Sequence, residues 1–342
     1  MEDGWVIGVR RVDQPRQIVD RVGQACLATT ERRHDSWYKM SGHAMKRRCG
    51  WDVGARTAQR RGICGRREEP LQRAHKDPEW LMPQQQSANT TNEGMRMRVR
   101  GCKGHRFAHC YLGHWARAAN YAKLLINESK WSRCVYTYLL CILFAADSTC
   151  ETTKRNETVA ALAKKVNGLR QRIAGKSIPV EKYCSKKANR FVAKKSLMFA
   201  HYEFMYFWSG FDIVGGNLPI MQAILEDIES IWLMRKSGAD ANDRALYFFL
   251  RAACLRNLRQ PIVAENCIRE VLKLEEDLDD FAYLPPNAFY ELALLRIADG
   301  LPEEAEALLA KARNYKGFPL ENKLHFRIHS AMENLGTRTP MM

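Results

Sequence analysis

The sequence predicts an all-α fold in which helical hairpins stack as an α-solenoid behind a disordered N-terminal segment. From about residue 115 onward, helix-forming residues predominate and apolar residues recur at helical spacing. Three prolines, Pro219, Pro261 and Pro302, follow one another at intervals of 42 and 41 residues. No alternating strand pattern bounded by turn residues is found in this part of the chain. A fixed period of this size indicates stacked helix pairs.

Length and composition are those of a soluble globular protein. The chain has 342 residues, of which 46% are hydrophobic, and a mean hydropathy of −0.41. Its longest apolar stretch, Val135–Ala146, is shorter than the roughly 20 residues that span a bilayer. No secretory signal is expected, so we expect the protein in the cytoplasm, with the nucleus or the periphery of organelle membranes as alternatives. The eleven cysteines are interpreted as buried thiols.

Charge is distributed unevenly and divides the chain into regions. Residues 1–100 hold 20 basic and 12 acidic residues, and 17 of the basic residues are arginine. Residues 150–196 hold 13 basic and 3 acidic residues, whereas residues 197–342 hold 15 basic and 21 acidic residues. The net charge of +16 therefore does not describe one uniformly basic protein.

Three regions follow from this reading. Residues 1–104 are Arg-rich and lack a sustained apolar period, so they are interpreted as disordered. A nucleic-acid-binding arm is the weaker interpretation, because it would need interleaved aromatic residues or a defined fold. Residues 105–196 are predicted to form helical hairpins with a basic linker. Residues 197–336 are predicted to form repeats that end in a capping helix.

Two helices are predicted before the repeats. The first covers residues 114–125, where Trp115, Ala118, Ala119, Ala122 and Leu125 share one face. The second covers Trp131–Ala146 after a short polar break. The two helices are expected to form a hairpin.

The clearest repeat unit comprises helix Ala288–Asp299, a turn at Gly300, and helix Pro302–Tyr315. In the 34-residue tetratricopeptide consensus, three positions carry small residues because neighbouring helices approach closely there. The fold class is accordingly a tetratricopeptide-like array. The residues at those positions are Ala293, Ala305 and Ala312 in this unit, Ala252, Ala264 and Val271 in the preceding unit, and Gly210, Gln222 and Glu229 in a degenerate first unit.

Extra residues in each unit are expected between hairpins. Arg235–Asp240 and Glu275–Asp280 are interpreted as solvated insertions of this kind. An amphipathic helix over Leu320–Leu335 is expected to cap the array.

Four segments carry a resemblance to a known family: residues 129–138 (SKWSRCVYTY), 168–183 (GLRQRIAGKSIPVEKY), 206–211 (YFWSGF) and 284–293 (LPPNAFYELA). Together they resemble the tetratricopeptide repeat protein 39 family, which shares its domain with the fungal inclusion-body clearance protein. The resemblance covers about residues 111–336, the C-terminal half of that family, and residues 1–104 do not share it. It implies a non-enzymatic adaptor linked to lipid homeostasis or to clearance of aggregated protein.

The first helices of the hairpins are expected to line a concave groove for an unidentified protein partner. An apolar groove suits an amphipathic helix of a partner or a helix from the other half of the family fold. A clamp for C-terminal carboxylates is not expected, because phenylalanines replace its Lys and Asn residues. The candidate groove residues are Phe207, Phe211, Phe249, Arg256, Asn257, Asn287, Tyr290 and Leu294.

The basic block Lys154–Lys195 is a second candidate surface. Such a block is usually a solvated helix face. Its alternative role is binding to an anionic surface, and a peripheral protein of anionic membranes or lipid droplets is the alternative function. The candidate patch comprises Lys164, Lys165, Arg170, Arg172, Lys186, Lys187, Lys194 and Lys195.

Other motifs favour structural interpretations. Gly168 and Gly175-Lys176-Ser177 do not have the spacing of a phosphate-binding loop, so an ordered linker is expected there. The densest cluster of potential zinc ligands comprises Cys102, His105, His109, Cys110 and His114. It lacks the paired Cys-x2-Cys motif that is usual in zinc sites, so an accidental cluster is favoured. The aromatic residues 202–211 are interpreted as core rather than as a nucleic-acid platform. We therefore expect no catalytic set, cofactor, metal or nucleic-acid partner.

Overall fold

The computed structural model describes residues 107–128, 131–149, 151–173 and 175–336. The interpretation of residues 1–104 as disordered concerns residues outside these ranges. Residues 107–111 are helical. The α-helices that follow are α1 (Trp115–Glu128), α2 (Arg133–Ala146), α3 (Thr152–Gly168), α4 (Pro179–Lys194), α5 (Ala200–Phe207), α6 (Gly210–Val214), α7 (Leu218–Arg235), α8 (Ala241–Asn257), α9 (Pro261–Lys273), α10 (Leu284–Ala298), α11 (Pro302–Asn314) and α12 (Glu321–Gly336).

The first hairpin, α1 and α2, forms as the sequence predicts. Helix α1 buries Ala118, Ala119, Ala122 and Leu125. Helix α2 begins two residues later than predicted, because the hydroxyl of Ser132 accepts a hydrogen bond from the backbone N–H of Val135 at 3.1 Å and caps the helix. The positions of both helices are therefore determined by local sequence features, namely the apolar face of α1 and the N-terminal cap of α2.

Helices α3 and α4 are joined by a short β-hairpin. Strands β1 (Arg172–Ile173) and β2 (Lys176–Ser177) pair in antiparallel register, with Arg172 opposite Ser177. The sequence predicted a linker without strands here, and two-residue strands are too short to produce an alternating pattern. Helix α4 packs against both α2 and α3.

The repeats stack in the order expected of tetratricopeptide hairpins. The hairpins are α5 and α6 with α7, α8 with α9, and α10 with α11. The first helix of each hairpin contacts the first helix of the next, and the second helix contacts the first helix of the next hairpin. Helix α12 then contacts α10 and α11.

The predicted small residues lie where these helices approach. Ala293, Ala305 and Ala312 are fully buried in the third hairpin, and Ala252, Ala264 and Val271 are at most 1% exposed in the second. Gly300 ends α10 with a positive φ of 75°, a conformation that glycine adopts without a side-chain clash. Pro302 then begins α11, where no backbone hydrogen bond is lost.

The first hairpin of the array departs from the predicted register. Pro219 is the second residue of α7, whereas Pro261 and Pro302 are the first residues of their helices. Counting from the helix starts places the buried residues Met221 and Ile228 at the close-approach positions instead of Gln222 and Glu229. The prediction was wrong by one residue because it aligned prolines instead of helix starts. A Cβ at Gly210 would lie 2.8 Å from Cε1 of Tyr111, so this position also has no space for a side chain, but the close neighbour precedes the repeats.

We predict that enlarging a close-approach alanine destabilises the array. Ala305→Leu should lower the free energy of unfolding by about 1–3 kcal/mol, because the added carbons have no space between the helices. Ala310→Leu, at an exposed position of the same helix, should change it by less than about 0.5 kcal/mol. Urea denaturation followed by circular dichroism measures both variants, and equal effects would contradict the assigned helix contact.

Candidate interaction surfaces

The first helices of the hairpins do not leave an open groove. Of the eight candidate groove residues, five are buried with exposures of 7% or less. Arg256, Asn257 and Leu294 are partly exposed. The expectation of an accessible groove is therefore wrong for the buried five, which are Phe207, Phe211, Phe249, Asn287 and Tyr290.

Close approach of non-neighbouring helices explains this burial. The hydroxyl of Tyr206 on α5 donates a hydrogen bond of 2.7 Å to Glu291 on α10, which lies two hairpins further along. The Phe249 ring packs edge-on against Tyr206 at 4.7 Å. Tyr183 on α4 packs edge-on against Phe207 at 5.4 Å. The inner face is thus closed by its own aromatic side chains.

Helix α12 covers another part of this face through Arg327. The Arg327 guanidinium lies 4.6 Å from the ring centroid of Tyr206 and 4.4 Å from that of Tyr290. It also lies 3.5 Å from Glu291 and 3.8 Å from Asp212. A cation between two aromatic faces and two carboxylates is a favourable arrangement away from water. The capping helix therefore docks through a cation as well as through its apolar stripe.

Glu291 remains charged in this setting because two guanidiniums face it. Burial alone would raise the pKa of Glu291, but the positive charges of Arg256 and Arg327 lower it below its ordinary value. Arg256 donates to Glu291 at 2.6 Å and lies 3.7 Å from Asp212. The buried Glu291 is thus paired with two guanidiniums, and the more exposed Asp212 lies close to both of them.

A second buried pair joins α4 to α5. The Lys187 ammonium lies 2.6 Å from Glu203 and 3.4 Å from the ring centroid of Phe281. The hydroxyl of Tyr283 donates to the other oxygen of Glu203. Burial lowers the pKa of Lys187, and the Glu203 carboxylate opposes that shift only in part. This ion pair holds α4 against α5 at the inner face of the array.

Arg190 on α4 also binds the two insertions between hairpins. Its guanidinium lies 2.8 Å from Asp240, 2.8 Å from Asp280 and 3.1 Å from Asp243. Burial alone would raise the pKa of Asp240, but its hydrogen bonds and the charge of Arg190 lower it to about 2. The prediction that both insertions are simply solvated is wrong at Asp240 and Asp280, because the basic helix pairs with them.

The candidate basic patch divides into two groups. Lys187 is only 5% exposed and is excluded from any surface patch by its pairing with Glu203. Lys186 and Lys194 lie 3.7 Å and 2.8 Å from the carboxylates of Asp280 and Asp240. The other five are exposed and form no ion pair with a described carboxylate: Lys164, Lys165, Arg170, Arg172 and Lys195.

An exposed apolar row was missed by the sequence interpretation. Leu218, Ile262 and Leu301 are 51%, 77% and 42% exposed, and Val263 beside Ile262 is 38% exposed. These residues lie at the start of the second helix in three consecutive hairpins. The signal was present, since each of the three periodic prolines has one of these residues next to it. We call Leu218, Ile262, Val263 and Leu301 the apolar row.

The remaining motifs occupy structural positions. Lys176 and Ser177 lie in β2, whereas a phosphate loop would place them at the start of a helix. In the described ranges no group of three or more His, Cys, Asp and Glu residues is arranged to hold a metal, and Cys102 and His105 lie outside them. Within the same ranges, no helix has both the length and the apolar character to cross a bilayer.

Fold and surfaces together define an all-α tetratricopeptide-like array whose inner face is packed. Residues 102–258 match the family model described as Iml2/Tetratricopeptide repeat protein 39. The chain is 60% identical over 236 residues to the Tetratricopeptide repeat protein ttc-39B of Caenorhabditis elegans, an alignment that covers 69% of this chain. It spans 41% of that relative's length. The resemblance to the tetratricopeptide repeat protein 39 family is confirmed.

We predict that the buried Lys187–Glu203 pair stabilises the fold only when both charges are present. Lys187→Met should lower the free energy of unfolding by about 3–5 kcal/mol, because it leaves a buried carboxylate without its cation. Adding Glu203→Gln, which still accepts from Tyr283, should recover more than half of that loss. Urea unfolding measures both variants.

Lys182→Met is the matched control for this pair. Lys182 lies on the exposed side of the same helix, so its replacement should leave stability nearly unchanged. A double variant as unstable as the single variant would show that the ion pair is not the cause.

Proposed function

We propose that this protein is a non-enzymatic scaffold that binds other proteins through its helical repeats. The apolar row carries the proposal, because large apolar side chains stay exposed within two residues of the start of the second helix in three consecutive hairpins. Single exposed apolar residues are common on protein surfaces, but exposure that recurs beside each of the three periodic prolines differs from such scattered exposure. Stacked repeats also present extended surfaces of the kind that partners bind.

The cellular role that we propose rests on the resemblance to this family. Members of the tetratricopeptide repeat protein 39 family are linked to lipid homeostasis or clearance of aggregated protein, and we propose a cytoplasmic adaptor role of that kind here. The chain covers less than half of the worm relative's length, so the proposed role concerns only the region that the two proteins share.

We predict that charged substitutions in the apolar row reduce the binding of partner proteins. Ile262→Asp combined with Leu301→Asp should lower the recovery of bound proteins at least fivefold, because each charge prevents desolvation of an apolar contact. The measurement is quantitative mass spectrometry after affinity purification of the full chain from cells.

The matched control replaces two exposed apolar residues outside the row. Leu233 and Met234 at the end of α7 are 66% and 70% exposed. Leu233→Asp with Met234→Asp should leave recovery unchanged, and circular dichroism should show both double variants folded. If both double variants recover the same partners in the same amounts, the apolar row is not the contact surface.

We propose a second function, binding to anionic membranes or lipid droplets, on a different observation. Five basic residues of the candidate patch remain exposed and form no ion pair with a described carboxylate. Near an anionic membrane each contributes about 1 kcal/mol. Internal pairing of Lys186, Lys187 and Lys194 reduces the patch but does not abolish it.

Vesicle flotation tests this second function. Binding to phosphatidylserine vesicles should exceed binding to neutral vesicles at about 0.1 M salt, and it should fall in about 0.5 M salt, where the screening length is about twofold shorter. Lys164→Glu with Lys165→Glu should lower it at least about tenfold. Lys236→Glu with Lys316→Glu, two exposed lysines outside the patch, is the control. Equal flotation of both variants would exclude the patch.

A further inference from the structure

Carboxylates surround one end of the apolar row. We propose that the row binds an amphipathic helix of a partner protein, and that this helix carries basic residues beside its apolar face, next to Leu301. The proposal rests on the scaffold function and adds the chemistry of the partner to it. An ionic bridge between α9 and α11, the exposure of the row and the distribution of charge along it all support this assignment.

One arginine brings the first turns of α9 and α11 together. The guanidinium of Arg296, near the end of α10, lies 2.9 Å from Glu265 of α9 and 3.0 Å from Glu304 of α11. Glu265 follows Ile262 by three residues, and Glu304 follows Leu301 by three residues. Residues three apart are neighbours on a helix surface. Ile262 and Leu301 therefore belong to one continuous surface, although they lie in different hairpins.

Packing within the chain does not explain the apolar character of this surface. Ile262 is 77% exposed, so its side chain contributes little to the core. The buried residues of the same turns are Ala264 in α9 and Ala305 in α11. A polar residue at position 262 would therefore leave the described helix contacts intact. A contact with another molecule would desolvate the exposed side chains and gain free energy from their burial.

The backbone around the row indicates the form of the partner. Residues of α9 and α11 bond their backbone groups within the helices, so these helices offer no strand edge to an extended peptide. The row also contains no aromatic side chain of the kind that binds proline-rich segments. An amphipathic helix needs neither feature, because it makes its contacts through the side chains of one face.

Negative charge is concentrated at the Leu301 end of the row. Arg296 pairs with two of the carboxylates there, at 3.4 Å from Asp299 and 3.0 Å from Glu304. The other two are exposed and form no ion pair with a described side chain. This end therefore keeps an excess of negative charge. The carboxylates within five residues of Leu301 are Asp299, Glu303, Glu304 and Glu306.

Stabilisation of α11 accounts for only part of this acidic cluster. Glu303 and Glu304 lie in the first turn of α11, where carboxylates interact favourably with the helix dipole. Glu306 lies beyond that turn, and the dipole effect falls off within it. Its exposed carboxylate therefore remains available to a basic residue of a partner.

The Ile262 end of the row differs in charge. Glu265 is already paired there with Arg296 and Arg269, at 2.9 Å and 2.6 Å. Arg259, in the turn before α9, is exposed. A basic group of a partner is thus attracted at Leu301 and repelled near Ile262. Complementary charges of this kind fix the orientation of a partner as well as its identity.

Fluorescence anisotropy with labelled model helices and the full chain tests the chemistry of the partner. One peptide of about 18 residues has leucine on one face and lysine on the other. A second peptide has glutamate in place of lysine, and a third has the residues of the first in an order without an apolar face. At about 0.1 M salt, the first peptide should bind at least about tenfold more tightly than the other two, because only it matches both the row and its charge.

Variants of the chain locate the binding. Glu303→Gln with Glu306→Gln should weaken binding of the lysine peptide at least about fivefold, because two attracting charges are removed. Glu276→Gln with Asp277→Asn is the matched control, since it removes two exposed carboxylates from the insertion before α10. It should change the affinity by less than about twofold. Leu301→Gln should also weaken binding at least about fivefold, and circular dichroism should show every variant folded.

Contrary results would overturn the proposal in distinguishable ways. Absence of binding by the lysine peptide, or equal losses with the two charge variants, would show that the row does not select a basic helix. Tighter binding of the glutamate peptide would assign the row to an acidic partner. A concentration-dependent dimer in sedimentation, lost with Leu301→Gln, would assign the row to a second copy of the chain.

Recovery of partners from cells separates this proposal from the scaffold function. Recovery that falls with Ile262→Asp and Leu301→Asp, but not with Glu303→Gln and Glu306→Gln, would leave the scaffold function in place and overturn the basic helix as its partner. Recovery that is unchanged in both double variants would overturn the scaffold function through the row as well.

Discussion

The ionic contacts of α4 with the repeats determine which surfaces the array leaves accessible. Arg190 joins both insertions between hairpins, and Lys187 joins α4 to α5. Four of the 13 basic residues in residues 150–196 pair in this way with carboxylates of the acidic region that follows: Lys186, Lys187, Arg190 and Lys194. The charge asymmetry of the sequence is therefore neutralised in part by contacts between the two regions. The five patch residues without such a partner lie on α3, in and just before the β-hairpin, and just after α4.

Once α4 lies across the array, its inner face cannot remain open. Tyr183 meets Phe207 there, while Tyr206 reaches Glu291 across two hairpins. Desolvated carboxylates require cations and hydrogen bonds, and the structure supplies both from distant segments. The face that other repeat arrays use for ligands therefore serves as core in the part of the chain that the structure describes.

Local features of the fold could be predicted from sequence, whereas the covering of the inner face could not. Helix positions and the buried Ala252, Ala264, Ala293 and Ala305 follow from periodicity and proline placement. The pairs Arg190 with Asp280 and Tyr206 with Glu291 join residues 90 and 85 positions apart, and nothing local marks them. Phe207 and Phe211 have the same sequence signature whether they line a groove or fill a core.

A contact made through the apolar row would gain affinity from desolvation, which discriminates poorly among apolar partners. The packed inner face adds no selectivity to such a contact, because Glu203 and Glu291 are already paired inside the fold with Lys187 and Arg256. The selectivity of the proposed scaffold therefore has to come from polar and charged side chains around the row, where a mismatched partner would leave a desolvated polar group unpaired.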